Sequence, residues 1–402
     1  MNRKSQKDFG FSLHMELSKL AASFEESVIR EMTRISAQYL GSINLAQGFP
    51  DFPARDDFKQ AAINAILNDK NQYSITWGSK NLRNALAKKV KEYNKINADP
   101  DKNIVVTCGS TEAMMSTMKA VVNPGDEVII FEPFYENYGP DCILSGAKPR
   151  YIRLSAPHWT FDSETLKSLF NEKTKAIIIN TPNNPTGKVF SKSELKEIAD
   201  FCIDHDCVAI TDEIYEHILY DGEQHISIAS VPGMEDRTIT INSISKSYSL
   251  TGWRIGWAIA SERIIKEIKK VHDFLTVGAA HPLQEAAAYC LSIGEEYYKE
   301  LADFYSNAKN TLYNALLETE LHPFNPKGAY YIMCEVSDYQ KKHNLKTALE
   351  VSIKLLKTIG IATVPGNAFF NDPEDGKSLI RFCFCKKPET LERAKKALLS
   401  LK

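Results

Sequence analysis

The chain has 402 residues, 43% of them hydrophobic and 25% charged, with a formal net charge of −2 and a pI near 6.5. That length supplies apolar mass for a large core or two cores. A charge so near balance argues against nucleic acid or an anionic membrane as the main partner, and no run approaches the roughly 18 to 20 apolar residues that span a bilayer.

The opening segment, MNRKSQKDFGFSLHMELSKL, is charged and lacks the apolar core of a secretory signal, so a cytoplasmic protein is expected. Residues 26–39 place Val28, Met32, Ile35 and Tyr39 at helical spacing, with Ser36 as a small polar exception at the edge of the face. INLAQGFPDFPA, residues 43–54, reads as a strand leaving into a loop, broken by Gly48 and closed by prolines. A helix is expected over Asp56–Leu67, with Phe58, Ala61, Ala62, Ala65 and Ile66 on one side, and another from about Leu82. Asn103–Thr107 is a buried strand that meets Gly109, Ser110 and Thr111 and then a helical run, Ala113–Val121. Strand, small polar turn and helix start together offer unpaired N–H groups to an anion, although such a Ser or Thr also serves as a plain cap.

After Asn123-Pro124-Gly125, EVIIFEP is another buried strand, and Lys175–Asn180 and Cys207–Thr211 are two more. Between the last two lies a helix, Ser193–His205, opened by Ser191 or Ser193 with Glu194 nearby. Thr238–Asn242 alternates like a strand with one buried face. It runs into Ser243, Ser245 and Lys246, and a second apolar stretch, Trp253–Ala260, carries Arg254. Short apolar strands alternating with helices give an α/β fold with a mainly parallel sheet covered on both faces. Helices over Glu262–Phe274, Leu283–Leu291 and about Glu295–Leu317 lead into a tail that reads strand, helix, strand, strand, an α+β layer apart from the sheet. The eight cysteines show no CxxC and no zinc-like spacing, so buried thiols in a reducing compartment are expected and no metal.

In a parallel sheet the ligand site lies beyond the carboxyl ends of the strands. The residues found there are Gly109-Ser110-Thr111, Pro133-Phe134-Tyr135, Asn183-Asn184-Pro185, Asp212 to Tyr215 and Ser243 to Lys246. Each brings a polar or aromatic group to one rim. A partly desolvated lysine flanked by a cation loses basicity and acts as a nucleophile toward a carbonyl, while serine and arginine suit a phosphate dianion. A solvated turn lysine would use the same residues. An amine nucleophile beside a phosphate cradle points to pyridoxal 5'-phosphate, whose ring nitrogen needs an acidic partner, and Asp212 is placed for that. Asn184 and Tyr215 can address the ring hydroxyl, and Tyr135 can stack on a ring face; a turn and two half-buried aromatics are the plainer alternatives.

TPNNPTG (181–187), DEIY (212–215) and SISKSYSLTGWRIGW (243–257) resemble, in order, the signature blocks of the class I/II aminotransferases of pyridoxal phosphate fold type I. The resemblance covers about 44–381. It implies a large cofactor-binding domain, residues 46–285, with a mainly parallel seven-stranded sheet between helices, and a smaller α+β domain from residues 1–45 and 286–402. It implies that Lys246 forms the internal aldimine and shuttles the substrate proton, and that Asp212 pairs with the pyridine nitrogen. Asn184 and Tyr215 then address the ring hydroxyl, Tyr135 stacks on the ring, and Ser110, Thr111, Ser243 and Arg254 hold the phosphate. Tyr73 matches a tyrosine that crosses to the neighbouring subunit's phosphate, implying a homodimer with shared sites. Arg381 matches the arginine that grips the substrate α-carboxylate, Gly48 a glycine whose backbone approaches the substrate, and the Asn184-Pro185 bond is expected to be cis. The implied activity moves an amino group between an L-amino acid and a 2-oxo acid, 2-oxoglutarate foremost, through pyridoxamine phosphate.

QGFPDF and EPFYENY look most like the kynurenine, glutamine and methionine branch, whereas TVGAAHPLQEAA is similar to bacterial and archaeal aspartate or broad-specificity enzymes. Thr276–Gln284 contains no arginine, whereas classical aspartate enzymes recruit one in this region from the partner subunit, so the resemblance does not imply strict dicarboxylate specificity. A carbon–sulfur β-lyase on the same scaffold is the alternative. A regulator with an aminotransferase-like domain would need a DNA-binding domain ahead of it, and the first 45 or so residues show no helix-turn-helix pattern.

Overall fold

The computed structural model describes residues 17–24 and 26–401, so the segment read above as lacking a secretory signal lies mostly outside the described residues. In chain order, helix α1 (Val28–Ser36) and strand β1 (Ile43–Asn44) precede α2 (Asp56–Leu67) and α3 (Lys80–Lys89), whose last turn widens over Val90–Asn94. Then follow β2 (Ile104–Thr107), α4 (Ser110–Val121), β3 (Glu127–Glu132), α5 (Tyr138–Leu144), β4 (Lys148–Arg153), α6 (Ser163–Leu169) and β5 (Thr174–Asn180). The sheet continues through α7 (Lys192–Asp204), β6 (Val208–Asp212), β7 (Thr238–Ser243) and β8 (Gly256–Ile259).

These strands form a seven-stranded sheet in the order β2-β8-β7-β6-β5-β3-β4. β3 to β7 run parallel, and β8 pairs antiparallel with both β7 and β2. Successive side chains on a strand point to opposite faces. Ile129, Ile177, Ile179 and Ala209 therefore pack with Leu195 and Ile198 of α7, while Val128, Ile130, Ile178 and Ile210 pack with residues of α4. Burial on both faces corrects one expectation. Thr238–Asn242 alternates in sequence like a half-exposed strand, yet every residue of β7 is buried, because β7 lies between β6 and β8 with cover on each side. Its threonines are the polar members of a covered strand.

After the sheet come α8 (Glu262–Thr276), α9 (His281–Leu291) and α10 (Glu295–Leu317), then β9 (His322–Pro323), β10 (Tyr331–Glu335), α11 (Ser337–His343) and α12 (Ala348–Ile359). Strands β11 (Ile361–Ala362), β12 (Val364–Pro365) and β13 (Leu379–Cys383) and helix α13 (Pro388–Leu399) end the chain. β12-β13-β10-β9 make an antiparallel sheet and β1 pairs parallel with β11. The α+β layer is thus as expected.

Helix α7 opens on a reciprocal Ser191–Glu194 capping box, which is why its start was legible; α12 opens on a Thr347–Glu350 box that the sequence reading did not single out. Ile66 departs from the expected apolar side of α2 and is exposed. Ser36 is buried, its hydroxyl paired with that of Ser42. The short helices α5 and α6 and the edge strand β4 were not anticipated, because seven-residue helices and a strand as polar as KPRYIR show little periodicity.

Candidate active site

The carboxyl ends of β2, β6 and β7 meet at one rim, and β8 starts there because its Gly256 pairs with both Thr107 and Ser243. A cavity of about 260 Å³ opens on that rim, lined among others by Gly48, Ser110, Thr111, Tyr135, Asn184, Asp212, Tyr215, Lys246, Arg254 and Arg381. Ten of the predicted site residues therefore converge on one space. Two lie outside its lining. Ser243 is buried at the end of β7, its hydroxyl accepting from the Ser245 N–H at 3.2 Å, and it is Ser245 that lines the cavity. Tyr73 stands 84% exposed on the surface.

Lys246 is half-buried; its Nζ lies 3.5 Å from the Gly48 carbonyl and within 6 Å of the ring centres of Tyr215 (5.9 Å) and Tyr330 (5.8 Å). Burial lowers the amine from its ordinary value to about 8; Cys385 and Asp212 oppose the shift, and Arg254 and Arg381 add to it. Asp212 is buried. Burial raises its carboxyl to about 6, even though the Tyr138 hydroxyl donates to Oδ2 at 2.8 Å and the Ile214 N–H also approaches it.

Arg381 lies fully buried on β13, held by two 2.7 Å bonds from its guanidinium to Asn184 Oδ1 and the Ala46 carbonyl. It packs over the Tyr331 ring at 4.3 Å, and its buried Nε has no protein partner. Asn184 is fixed in turn by its N–H to Asn180 Oδ1 at 2.7 Å, and the Asn184-Pro185 bond is cis as expected. Tyr215 shares a 2.9 Å hydroxyl contact with Tyr331, and Tyr330 donates to the Gly48 carbonyl at 2.8 Å. A side chain at Gly48 would collide with Tyr331, so only glycine lets this loop approach Lys246.

At the other end of the cavity, α4 begins with no side-chain cap, leaving first-turn N–H groups free. Its N-cap is Gly109 at φ +84 and ψ 169, a conformation essentially reserved for glycine, and a Cβ there would overlap the Arg254 guanidinium. Arg254 donates to the Thr251 carbonyl at 3.0 Å and is otherwise open. Helix N-terminus, hydroxyls and guanidinium converge on a site suited to a dianion.

Several contributors escaped the sequence reading. Tyr138 follows Tyr135 by three residues and opens the unforeseen α5, and that spacing was its one signal. Asp141 also lines the cavity, buried, its Oδ2 unpartnered and its carboxyl raised to about 7 by burial. Behind Asp212, Glu213 and Glu216 turn into a buried polar cluster. Lys89 donates to Glu216, Asn242 to Glu216 at 2.6 Å, Ser227 to Glu213 at 2.7 Å and Asn94 to both carboxylates. His225 completes a grouping spaced like metal ligands, but Lys89 already supplies its positive charge.

Residues 41–398 match the family described as aminotransferase class I and II. The chain is 36% identical over 419 residues to a kynurenine–oxoglutarate transaminase of Dictyostelium discoideum, covering 96% of each. It is 34% identical to a methionine aminotransferase of Escherichia coli, over 93% of this chain and 96% of that one. Among solved structures, an N-succinyldiaminopimelate aminotransferase from Mycobacterium tuberculosis superposes with a TM-score of 0.91 at 32% identity, covering 96% of this chain and all (100%) of the other.

Proposed function

The chain belongs to the class I and II aminotransferases and is a pyridoxal 5'-phosphate-dependent transaminase of fold type I; we propose that it passes the amino group of an L-amino acid to 2-oxoglutarate, using Lys246 and Asp212, which line one cavity that would hold the cofactor. The residues present fit the cofactor: Gly109 leaves room for Arg254, α4 lacks a side-chain cap, and the buried Ser245 hydroxyl has no protein partner. Ser110, Thr111, Arg254 and Ser243 or Ser245 would hold the phosphate, Asp212 the pyridine nitrogen, Asn184 and Tyr215 the ring hydroxyl, and Tyr135 one ring face. When bound, pyridoxal 5'-phosphate supplies the carbonyl that condenses with an amine and the ring that accepts electrons from the α-carbon.

Arg381 would bind the substrate α-carboxylate through its planar fork while Asn184 fixes the plane of that fork. A lysine amine brought to about 8 has a usable neutral fraction near physiological pH, so Lys246 Nζ can accept and return the α-proton. Tyr138 keeps the Asp212 carboxylate in its charged form against the pull of burial. The observation that carries this reading is Lys246 and Asp212 sharing a cavity with a substrate-ready Arg381.

Acceptance by 2-oxoglutarate is supported by the names of similar enzymes in Dictyostelium discoideum and human. We also propose the homodimer, with Tyr73 reaching the neighbouring phosphate. Exposed Tyr73, Phe274 and Val277 sit on segments tied together by a bond between His281 and the Gln72 carbonyl, the kind of apolar surface a partner covers. A division into 46–285 and 1–45 with 286–402, and a cytoplasmic location consistent with eight unpaired cysteines, complete the proposal.

The test is a panel of L-amino acids added to the holoenzyme, read by loss of the visible cofactor band and its return with 2-oxoglutarate. Lys246→Ala should lose both the band and turnover. An unchanged spectrum and rate in that variant would refute the assignment, and pyruvate release with a persistent band would establish the β-lyase instead.

A further inference from the structure

The cavity holds four cationic side chains, and three are accounted for by neighbours. Arg381 is locked on Asn184, Arg254 lies under Gly109, and Lys246 faces Gly48. The fourth, Arg30 of α1, lines the same cavity but is exposed, and its guanidinium has no hydrogen-bond or ion-pair partner among the described residues. The backbone that carries it is held all the same. Ser27 caps α1 by accepting the Arg30 N–H at 3.3 Å, and the same hydroxyl donates to Glu136 on the segment that carries Tyr135. The start of α1 is thus pinned over the cavity mouth, with Ile29 and Phe49 beside it.

The stretch Thr276–Gln284, from the end of α8 into α9, carries His281 and no arginine, and His281 is engaged with Gln72 and Glu285. A substrate anchored at Arg381 with a second carboxylate therefore has Arg30 as the unpaired cation in its own subunit's cavity. We propose that Arg30 recognises the distal carboxylate of five-carbon dicarboxylic substrates, making it a specificity-determining residue supplied in cis by the N-terminal helix. The inference rests on the 2-oxoglutarate reading above. Its chemical basis is general: a guanidinium binds a carboxylate through two parallel donors, a geometry that lysine does not reproduce.

The test compares wild type, Arg30→Gln and Arg30→Lys as holoenzymes. The expected result is that kcat/KM for 2-oxoglutarate, divided by that for 2-oxohexanoate, falls about tenfold or more in Arg30→Gln, with partial recovery in Arg30→Lys. Glutarate should lose potency by a similar factor against valerate as a competitor of the amino-acid half-reaction. A wild-type enzyme that ignores 2-oxoglutarate but loses glutarate binding on substitution would overturn the acceptor reading and keep Arg30. Ratios unchanged by Arg30→Gln, for acceptors and competitors alike, would overturn the role of Arg30.

Discussion

Tyr138→Phe tests the electrostatics of the site with a single oxygen. The hydroxyl donates at 2.8 Å to a buried carboxylate, so its loss removes a charge-assisted bond and leaves the ring volume in place. Such a bond contributes roughly 1.5–3 kcal/mol to the charged form, which at about 1.36 kcal/mol per pH unit raises Asp212 by one to two units. Asp212 starts at about 6, already above its unfolded value of 3.8. A carboxyl whose folded pKa is raised holds its proton more tightly in the native state, so its contribution to stability declines as pH climbs from the unfolded value through the folded one. In the apoprotein that decline ends near pH 6 for wild type and near pH 7 to 8 for Tyr138→Phe. The variant should differ little in this respect at pH 5 and be roughly 1–3 kcal/mol less stable at pH 8. Urea denaturation of apoprotein at both pH values, repeated in an Asp212→Asn background, measures it. A variant-minus-wild-type difference equal at pH 5 and pH 8, or one that survives the Asp212→Asn substitution, would show that Tyr138 acts through packing alone.

Arg381→Ala should raise the KM of every amino-acid donor by roughly 30-fold or more, as truncating a buried charge partner does, while the holoenzyme spectrum is retained; release of the cofactor would assign Arg381 elsewhere. Gly109→Ala forces a Cβ into Arg254 at a backbone conformation costing about 1–3 kcal/mol. Its cofactor Kd, measured by fluorescence titration of the apoprotein, should rise about tenfold or more. Lys89→Met leaves Glu216 buried without its counter-charge and should cost about 3–5 kcal/mol in denaturant unfolding. In wild type Lys89 and the neighbouring histidines outweigh burial and hold Glu216 at about 2, so an unshifted midpoint would mean that water reaches the carboxylate.

Sequence by itself determined the alternation of strand and helix, and with it the rim on which Asp212, Asn184 and Lys246 stand. Each of these follows a short apolar run within a few residues, and chain connectivity carries it to the strand's carboxyl end. Local capping chemistry did the same for α7. Only the tertiary structure decided what faces those residues from elsewhere in the chain. Tyr138 reaches Asp212 across 74 residues and Lys89 reaches Glu216 across 127. Arg30 comes to the cavity from a helix before the first strand, and Ser245 rather than Ser243 turns into the lining. Such placements depend on how layers pack and which strand is covered twice. Hydrophobic periodicity reports that an element has a buried face; what that face or its polar neighbours will meet is set by contacts between residues far apart in sequence.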